Sequence, residues 1–584
     1  MAEPPVKPFV VQPVQFGPGE RRAAAHLATL PGVLDDQVMT PGPDRGWFAG
    51  GWWRTNGAPH NARSQELVAV LSYFHRNEAA WNPYRRDARL LRHLDAGLEH
   101  LLQLQHEDGT FPAYGPDDHN RAATGFGLVT LARTLDDLRV TDSLPLRRRQ
   151  LLASLRRAAD WVLHADNQEF WVEPVDCANQ AVAALLGVRM LLDLDPDADR
   201  QSLLHKRLDH LVVHGQSPVG YFREPRGGDL RYSFEVELPD LADLYRLTGH
   251  DGLLEAAGRF VEWLGLTLVP TPDGGYVPYD AASTRSEPFT VAANPDHLLD
   301  KTTGAAALVG DIPELAAFLL TKEDQQQQYD RWHTADAPEP VLPRGTATSP
   351  RGLWHDRPPT AAPTAAAHEA ARRQLPPLAR SDFTVTRHDP AGDRYHFVRR
   401  PGYYLCAFTG RRPTVRVRSG PGLLWGPDFG CLIRTLNGSD AAWGYRGDGL
   451  DEATADLVVE TVDRDGVQYR HPDAPLRVSL GYLPRWLRRT VVSPAGIERI
   501  PLCLEPTDEV WVGNRRLDPD RHHRGTADRV RILRRGVAAN LNWGETRSVA
   551  LAPIGSTAPR PGLVLDIAHE GHLELLVEIE DRPR

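Results

Sequence analysis

A tyrosine placed where a basic loop meets an apolar helix has surroundings suited to moving a proton, and Tyr232 stands at such a junction. The stretch from Gly220 to Gly249 reads GYFREPRGGDLRYSFEVELPDLADLYRLTG, with Arg223, Arg226 and Arg231 ahead of or beside the phenol. Ser233, a good N-cap residue, follows directly, so a helix beginning there would aim its positive end at the phenol. In such a field a tyrosine exchanges a proton more easily than an ordinary one. The competing reading is a half-buried aromatic whose hydroxyl is hydrogen-bonded. Two histidines share a local pattern: His60 in RTNGAPHNARSQE and His119 in GPDDHNRAATG each precede a predicted helix, with Asn and then Arg within three residues. Each suits a proton carrier in a cleft, or a helix cap.

The elements that must hold these residues fall into two kinds. From about 46 to 325 apolar residues recur at helical spacing, as in ARLLRHLDAGLEHLLQLQ, RAATGFGLVTLARTLDDL and CANQAVAALLGVRMLLDL. The helices come in pairs, with long loops rich in Trp, Tyr, Gly and Pro between pairs. This predicts an α/α toroid of helical hairpins, preceded by a lead-in over 1–45. Residues 326–380, with QQQQ and Pro/Ala-rich runs, read as a linker containing one possible helix at AAHEAARRQ. From 381 to 584 short alternating runs, among them FTVTRH, YYLCAFT, TVRVRS, LRVSLGY and RRTVVS, are separated by Gly, Pro, Asp and Asn turns and predict an antiparallel β-sandwich. The fold class is thus multidomain, mostly helical and then all-β.

Composition narrows the function. The chain has 584 residues, long enough for two or more domains, and its net charge of −10 argues against a protein that coats nucleic acid. Four scattered cysteines form neither a disulfide framework nor a CxxC metal site. Asp193, Asp195, Asp197 and Asp199 lack the glycine and distal glutamate of a calcium loop, and no phosphate-binding or dinucleotide motif stands in its proper context. No metal and no cofactor is expected. No run approaches a membrane span and the start as written has no signal-peptide core, so the expectation is a cytoplasmic protein, or a secreted one if the natural start differs. The sequence leaves the oligomeric state open.

With CANQAVAALLG, the Gly220–Gly249 stretch, HDGLLEAAGRFVEWL and RYHFVRRPGYYLCAFTG together, the sequence resembles the heparinase II/III-like polysaccharide lyases. In that family an Asn beside His or Gln is followed some fifty residues later by a Tyr-Ser pair opening the next helix. Asn179-Gln180 and Tyr232-Ser233 stand in that relation. The chain departs from the family in carrying RVRSGPGLLWGPDFG where many members have an HxH-like segment, and in lacking an export signal.

The resemblance implies β-elimination on an acidic polysaccharide or oligosaccharide containing uronate. Asn179 would neutralise the carboxylate by hydrogen bonding, with Gln180 as a second donor. Tyr232 would serve as base and acid, alone in a syn elimination or opposite His60 or His119 in an anti one. Arg54, Asn56, Arg63, Arg121, Arg223, Glu224 and Arg231 would line the anionic chain, while Trp52, Trp53, Tyr114 and Trp171 stack on sugar faces. On the sandwich side Tyr403, Tyr404, Arg416, Arg418 and Trp425 could cap the cleft, although packing in the sheet core is the commoner use of such aromatics. Two alternatives stay open: a hydrolase using paired carboxylates drawn from Asp118, Glu173, Glu224 and Glu235, and a glycan-binding protein without catalysis.

Overall fold

The structure is a computed structural model that describes residues 10–51, 58–164, 170–289, 301–343, 349–354, 361–447, 449–554 and 562–580. These form two compact units that interleave in sequence. The first comprises Met1–Gln216, Ser233–Gly258 and Pro295–Ala370, and the second Ser217–Tyr232, Arg259–Asn294 and Ala371–Arg584.

The first unit is built from antiparallel helical hairpins. Val68–Arg76 pairs with Ala88–Leu104, Arg121–Val140 with Pro145–Leu163, and Ala178–Leu194 with Ala198–His214. The first members pack on one another in succession, ending on Leu238–Thr248, and the second members do the same outside them. Sequence sets the two layers. Ala178–Leu194 is apolar nearly all round and buries most of its length, whereas Ala198–His214 buries only Leu204, Leu208 and Leu211, one narrow stripe. Small residues let the inner helices approach: a Cβ on Gly187 would come within 2.8 Å of the backbone of Leu128, and one on Gly125 within 2.9 Å of the Gln180 carbonyl. Side chains of Asp87, Asn120 and Asp197 cap the helices that follow them. This is the α/α toroid arrangement.

Part of the expected lead-in and linker is ordered in this unit. Arg21–Asp35 is a helix. The QQQQ run lies in the helix Lys322–His333, started by a capping box in which Thr321 and Asp324 bond reciprocally. Ala365–Arg373 is the helix expected at AAHEAARRQ. Pro313–Phe318 forms a 3₁₀ turn.

In the second unit eighteen strands between Phe383 and Ile579 join in one antiparallel network, the β-sandwich. Burial alternates as the sequence does: in Trp486–Val492 the side chains of Leu487, Arg489 and Val491 face inward. An arginine on the core face requires partners. Arg489 donates to Glu498 Oε1 at 2.6 Å and to Glu452 Oε2 at 2.6 Å, and Tyr469 and Trp443 bond to the same carboxylates. TVRVRS is a turn rather than a strand, and the strand that follows is Gly420–Gly426. Its Gly and Pro content hides it from propensity, yet it is buried throughout, and a Cβ on Gly422 would overlap the Tyr279 ring.

Candidate functional site

In the second unit Arg223–Glu224 and Gly227–Gly228 form a two-stranded hairpin turned by Pro225 and Arg226, the latter in the left-handed region. The two glycines serve packing: a Cβ on Gly228 would meet the Tyr221 ring, and one on Gly227 would meet Thr284 and Pro413. The Arg223 guanidinium donates to Asp389 at 2.8 Å, and the same carboxylate accepts from Ser217.

The helix at Tyr232 begins earlier than expected. It opens at Leu230, with buried Asp229 as its cap accepting from the Tyr232 N–H at 3.0 Å. Ser233 instead opens a π-helical turn, Ser233–Glu237, which leads into Leu238–Thr248. Single π-helical turns concentrate at functional sites. Asp229 also binds a second segment, accepting from the backbone of Arg285 at 2.9 Å, from the Ser283 hydroxyl at 3.0 Å, and from Ser286 through both N–H and hydroxyl at 2.6 Å each. Asn437 donates to the carbonyls of Ser283 and Ser286, fixing the segment from its other side.

That segment delivers Arg285 to Tyr232. Its guanidinium carbon lies 4.2 Å from the centre of the half-buried phenol ring and its Nη1 donates to the fully buried Glu224. A positive charge is thus held on the face of the tyrosine by an anion beneath it. Glu224, considered above as a substrate ligand or hydrolytic carboxylate, is the ion partner of Arg285. Arg231 is half-buried, its guanidinium 5.8 Å from the Phe289 ring. Nearby, Asp280 is pushed up to about 6 by burial, with Arg434 opposing the shift.

In the first unit Asn179 lies in the opening turn of Ala178–Leu194, behind Cys177 in the left-handed region. It is buried, and its Oδ1 accepts no hydrogen bond among the described residues. Gln180 accepts from Arg121 Nε at 2.8 Å, and Arg121 also donates to the Asp176 carbonyl at 2.8 Å. Asn179's helix packs against the turn Ser233–Glu237. His119, two residues before Arg121, lies in an exposed loop, bonded to Asp108 at 2.7 Å and Thr110 at 2.8 Å with its ring 4.3 Å from that of His106. His60 is half-buried in the turn before Asn61, which caps the next helix. Arg63 is buried, paired with Glu66 at 2.5 Å and packed on Phe126, so it is not presented to solvent as expected. Tyr114 is 67% exposed, in a loop that Asp118 closes through backbone N–H groups. Trp52, Trp53, Arg54 and Asn56 lie outside the described residues. A cavity of about 550 Å³ in this unit is lined by Arg76, Arg133, Asp137, Asp243 and Trp354, and holds none of the expected site residues.

Tyr403, Tyr404 and Trp425 are interior to the second unit, the sheet-core packing expected of such aromatics. Tyr404 donates to the Leu266 carbonyl at 2.6 Å and Trp425 to that of Pro270 at 2.9 Å. Arg416 pairs with Glu287 at 2.7 Å, and Arg418 bonds backbone carbonyls. Sequence reasoning missed Asp229 and Arg285. The polar run STRSE around Arg285 was the available signal.

No family model and no curated protein matches the sequence. Solved structures match the fold. A xanthan lyase from Paenibacillus aligns with a TM-score of 0.57 at 11% identity over 96% of this chain, which spans 57% of that protein. A chondroitin AC lyase from Streptomyces coelicolor A3, solved with chondroitin sulphate, aligns at 0.51 and 13% identity over 96% of this chain and 80% of its own. A heparinase III with methylated lysines aligns at 0.51 and 9% identity, covering 100% and 87%. The chain has the fold of these polysaccharide lyases, an α/α toroid with an antiparallel β-sandwich.

Proposed function

We propose that this protein is a polysaccharide lyase that cleaves a uronate-containing glycan by β-elimination. The observation that carries the reading is the likeness of fold over nearly the whole chain to a xanthan lyase, a chondroitin AC lyase and a heparinase III. In the proposed reaction Asn179 and Gln180 donate hydrogen bonds to the uronate carboxylate, drawing charge from C5 as its proton leaves. Tyr232 takes that proton, the C4–O4 bond breaks as the C4=C5 double bond forms, and a proton is returned to O4 of the departing sugar. Tyr232 takes the proton as its phenolate, and the Arg285 guanidinium on its ring stabilises that negative charge, which the oxygen gives up on taking the C5 proton and regains when the proton passes to O4.

The test is incubation with a panel of uronate polymers, followed by absorbance near the ultraviolet edge, where the unsaturated product absorbs. Activity is expected on at least one polymer. Tyr232→Phe should lower turnover by about 10²–10⁴-fold, the usual worth of a positioned acid-base group, with folding and binding retained. New reducing ends without that absorbance would overturn elimination, and normal turnover in Tyr232→Phe would remove the tyrosine from the mechanism.

A further inference from the structure

We infer that the helical unit carries a zinc-class metal site formed by Glu173, His210 and His214. The histidines lie four residues apart near the C-terminal end of Ala198–His214, so both project from one face of that helix. Their rings are 4.5 Å apart. The loop beside them presents Glu173, with Oε1 3.5 Å from His214 Nε2 and 3.9 Å from His210 Nδ1. Both distances are wider than a normal hydrogen bond. They approach the roughly 3.3–3.5 Å that separates ligand atoms around a tetrahedral zinc with bonds of about 2.0–2.1 Å. All three ligand atoms lie within 4.8 Å of one another. Two imidazoles and one carboxylate are a borderline nitrogen and oxygen set that suits zinc and its neighbours, with water completing the shell.

The carboxylate is held in place from both sides. Ahead of it Trp171 is buried, donates its indole N–H to the Val162 carbonyl at 2.7 Å and packs edge-on against His210. Behind it the Val175 N–H donates to the His214 carbonyl at 3.0 Å. A second cluster, His106, Asp108 and His119, is less suited. Both nitrogens of His106 already bond, to Thr110 and to the Pro116 carbonyl at 2.9 Å each, and a metal would have to displace them.

The site has a consequence for Asn179. Glu173 stands six residues before it, on the loop whose Asp176 carbonyl is held by Arg121. A cation joining Glu173 to His210 and His214 would fasten that loop to Ala198–His214 and steady the start of Asn179's helix. Its role is structural, and its detection does not depend on the proposed reaction.

The metal-free full-length protein is titrated with Co²⁺, read by its visible ligand-field bands, and then with Zn²⁺ in competition. One Co²⁺ per chain is expected, displaced by Zn²⁺, and Zn²⁺ should raise the melting temperature. Glu173→Gln, His210→Ala and His214→Ala should each weaken Co²⁺ binding by at least the ~10–100-fold that loss of a mere supporting contact costs, whereas His106→Ala should not. Glu173 is half-exposed, so Glu173→Gln keeps the test independent of folding, which circular dichroism checks in all variants. Wild-type affinity in the His210→Ala/His214→Ala double variant, or loss confined to His106→Ala, overturns the assignment.

Discussion

The charge held against Tyr232 is a chain of three residues in which each determines the next. Glu224 is fully buried, so its charge needs partners, and Arg285 is one that also lies on the phenol ring. Structural and electrostatic roles can therefore be separated. Arg285→Met should destabilise the protein by up to about 3–5 kcal/mol, since it takes a charged partner from a buried carboxylate. It should also lower turnover by about 10²–10³-fold, as removal of a stabilising donor does. Adding Glu224→Gln removes the buried charge that lost this partner, so the melting temperature should recover while turnover does not. Recovery of both would show that Arg285 acts through packing alone. Arg223, the residue immediately before Glu224, is committed to Asp389, and its likeness to Arg285 in residue type carries no likeness in role.

At the scale of elements, Asp229 joins the short helix at Tyr232 to the segment 283–286. It caps the helix and accepts from three residues of that segment. Asp229→Ala should cost at least the ~1–2 kcal/mol of a lost cap, measured by urea unfolding, and should reduce turnover because Arg285 loses its anchor. Asp229→Asn, which can still cap, should fall between the two. An unchanged unfolding midpoint in Asp229→Ala would show that Asn437 and the bonds of Thr284 to the Gly228 carbonyl suffice to fix the segment. The helix start illustrates how far local pattern reaches. Ser233 has the right chemistry for a cap, but Asp229, four residues earlier, has it too, and the segment 283–286 that favours Asp229 is more than fifty residues away in sequence. The hairpin helices were legible because burial of one stripe imposes a period on local sequence. The strand Gly420–Gly426 was not, because close packing against Tyr279 selected glycines that local propensity disfavours.

Across the whole molecule, buried neutral histidines set the response to acid. His26, in the helical unit, and His396, in the β unit, are each held at about 3 against an ordinary 6.5, chiefly by burial, with Arg22 and Arg394 adding to it. Their folded-state values lie below the unfolded one, so protons bind the unfolded chain preferentially. Their contribution is complete above about pH 6.5 and is lost as pH falls toward 3. Stability followed by denaturant unfolding should decline through that window. His396→Gln, which cannot titrate and can still bond Thr409, should make the decline shallower. An unchanged acid slope would assign the loss to other groups.

The sequence by itself determined the order of the two architectures, the pairing of helices and most strands, because each follows from the period with which neighbouring residues must be buried. It also brought forward Tyr232 by its place between a basic loop and an apolar helix, and Asn179 by the resemblance to the heparinase II/III-like lyases. Only the tertiary structure decided which arginine lies on the phenol, that Arg223 and Arg63 are committed to ion pairs, and that Glu173 stands beside His210 and His214. Those pairings join residues whose partners are chosen by the packing of distant segments, and the spacing of residues along a chain does not record which segments meet.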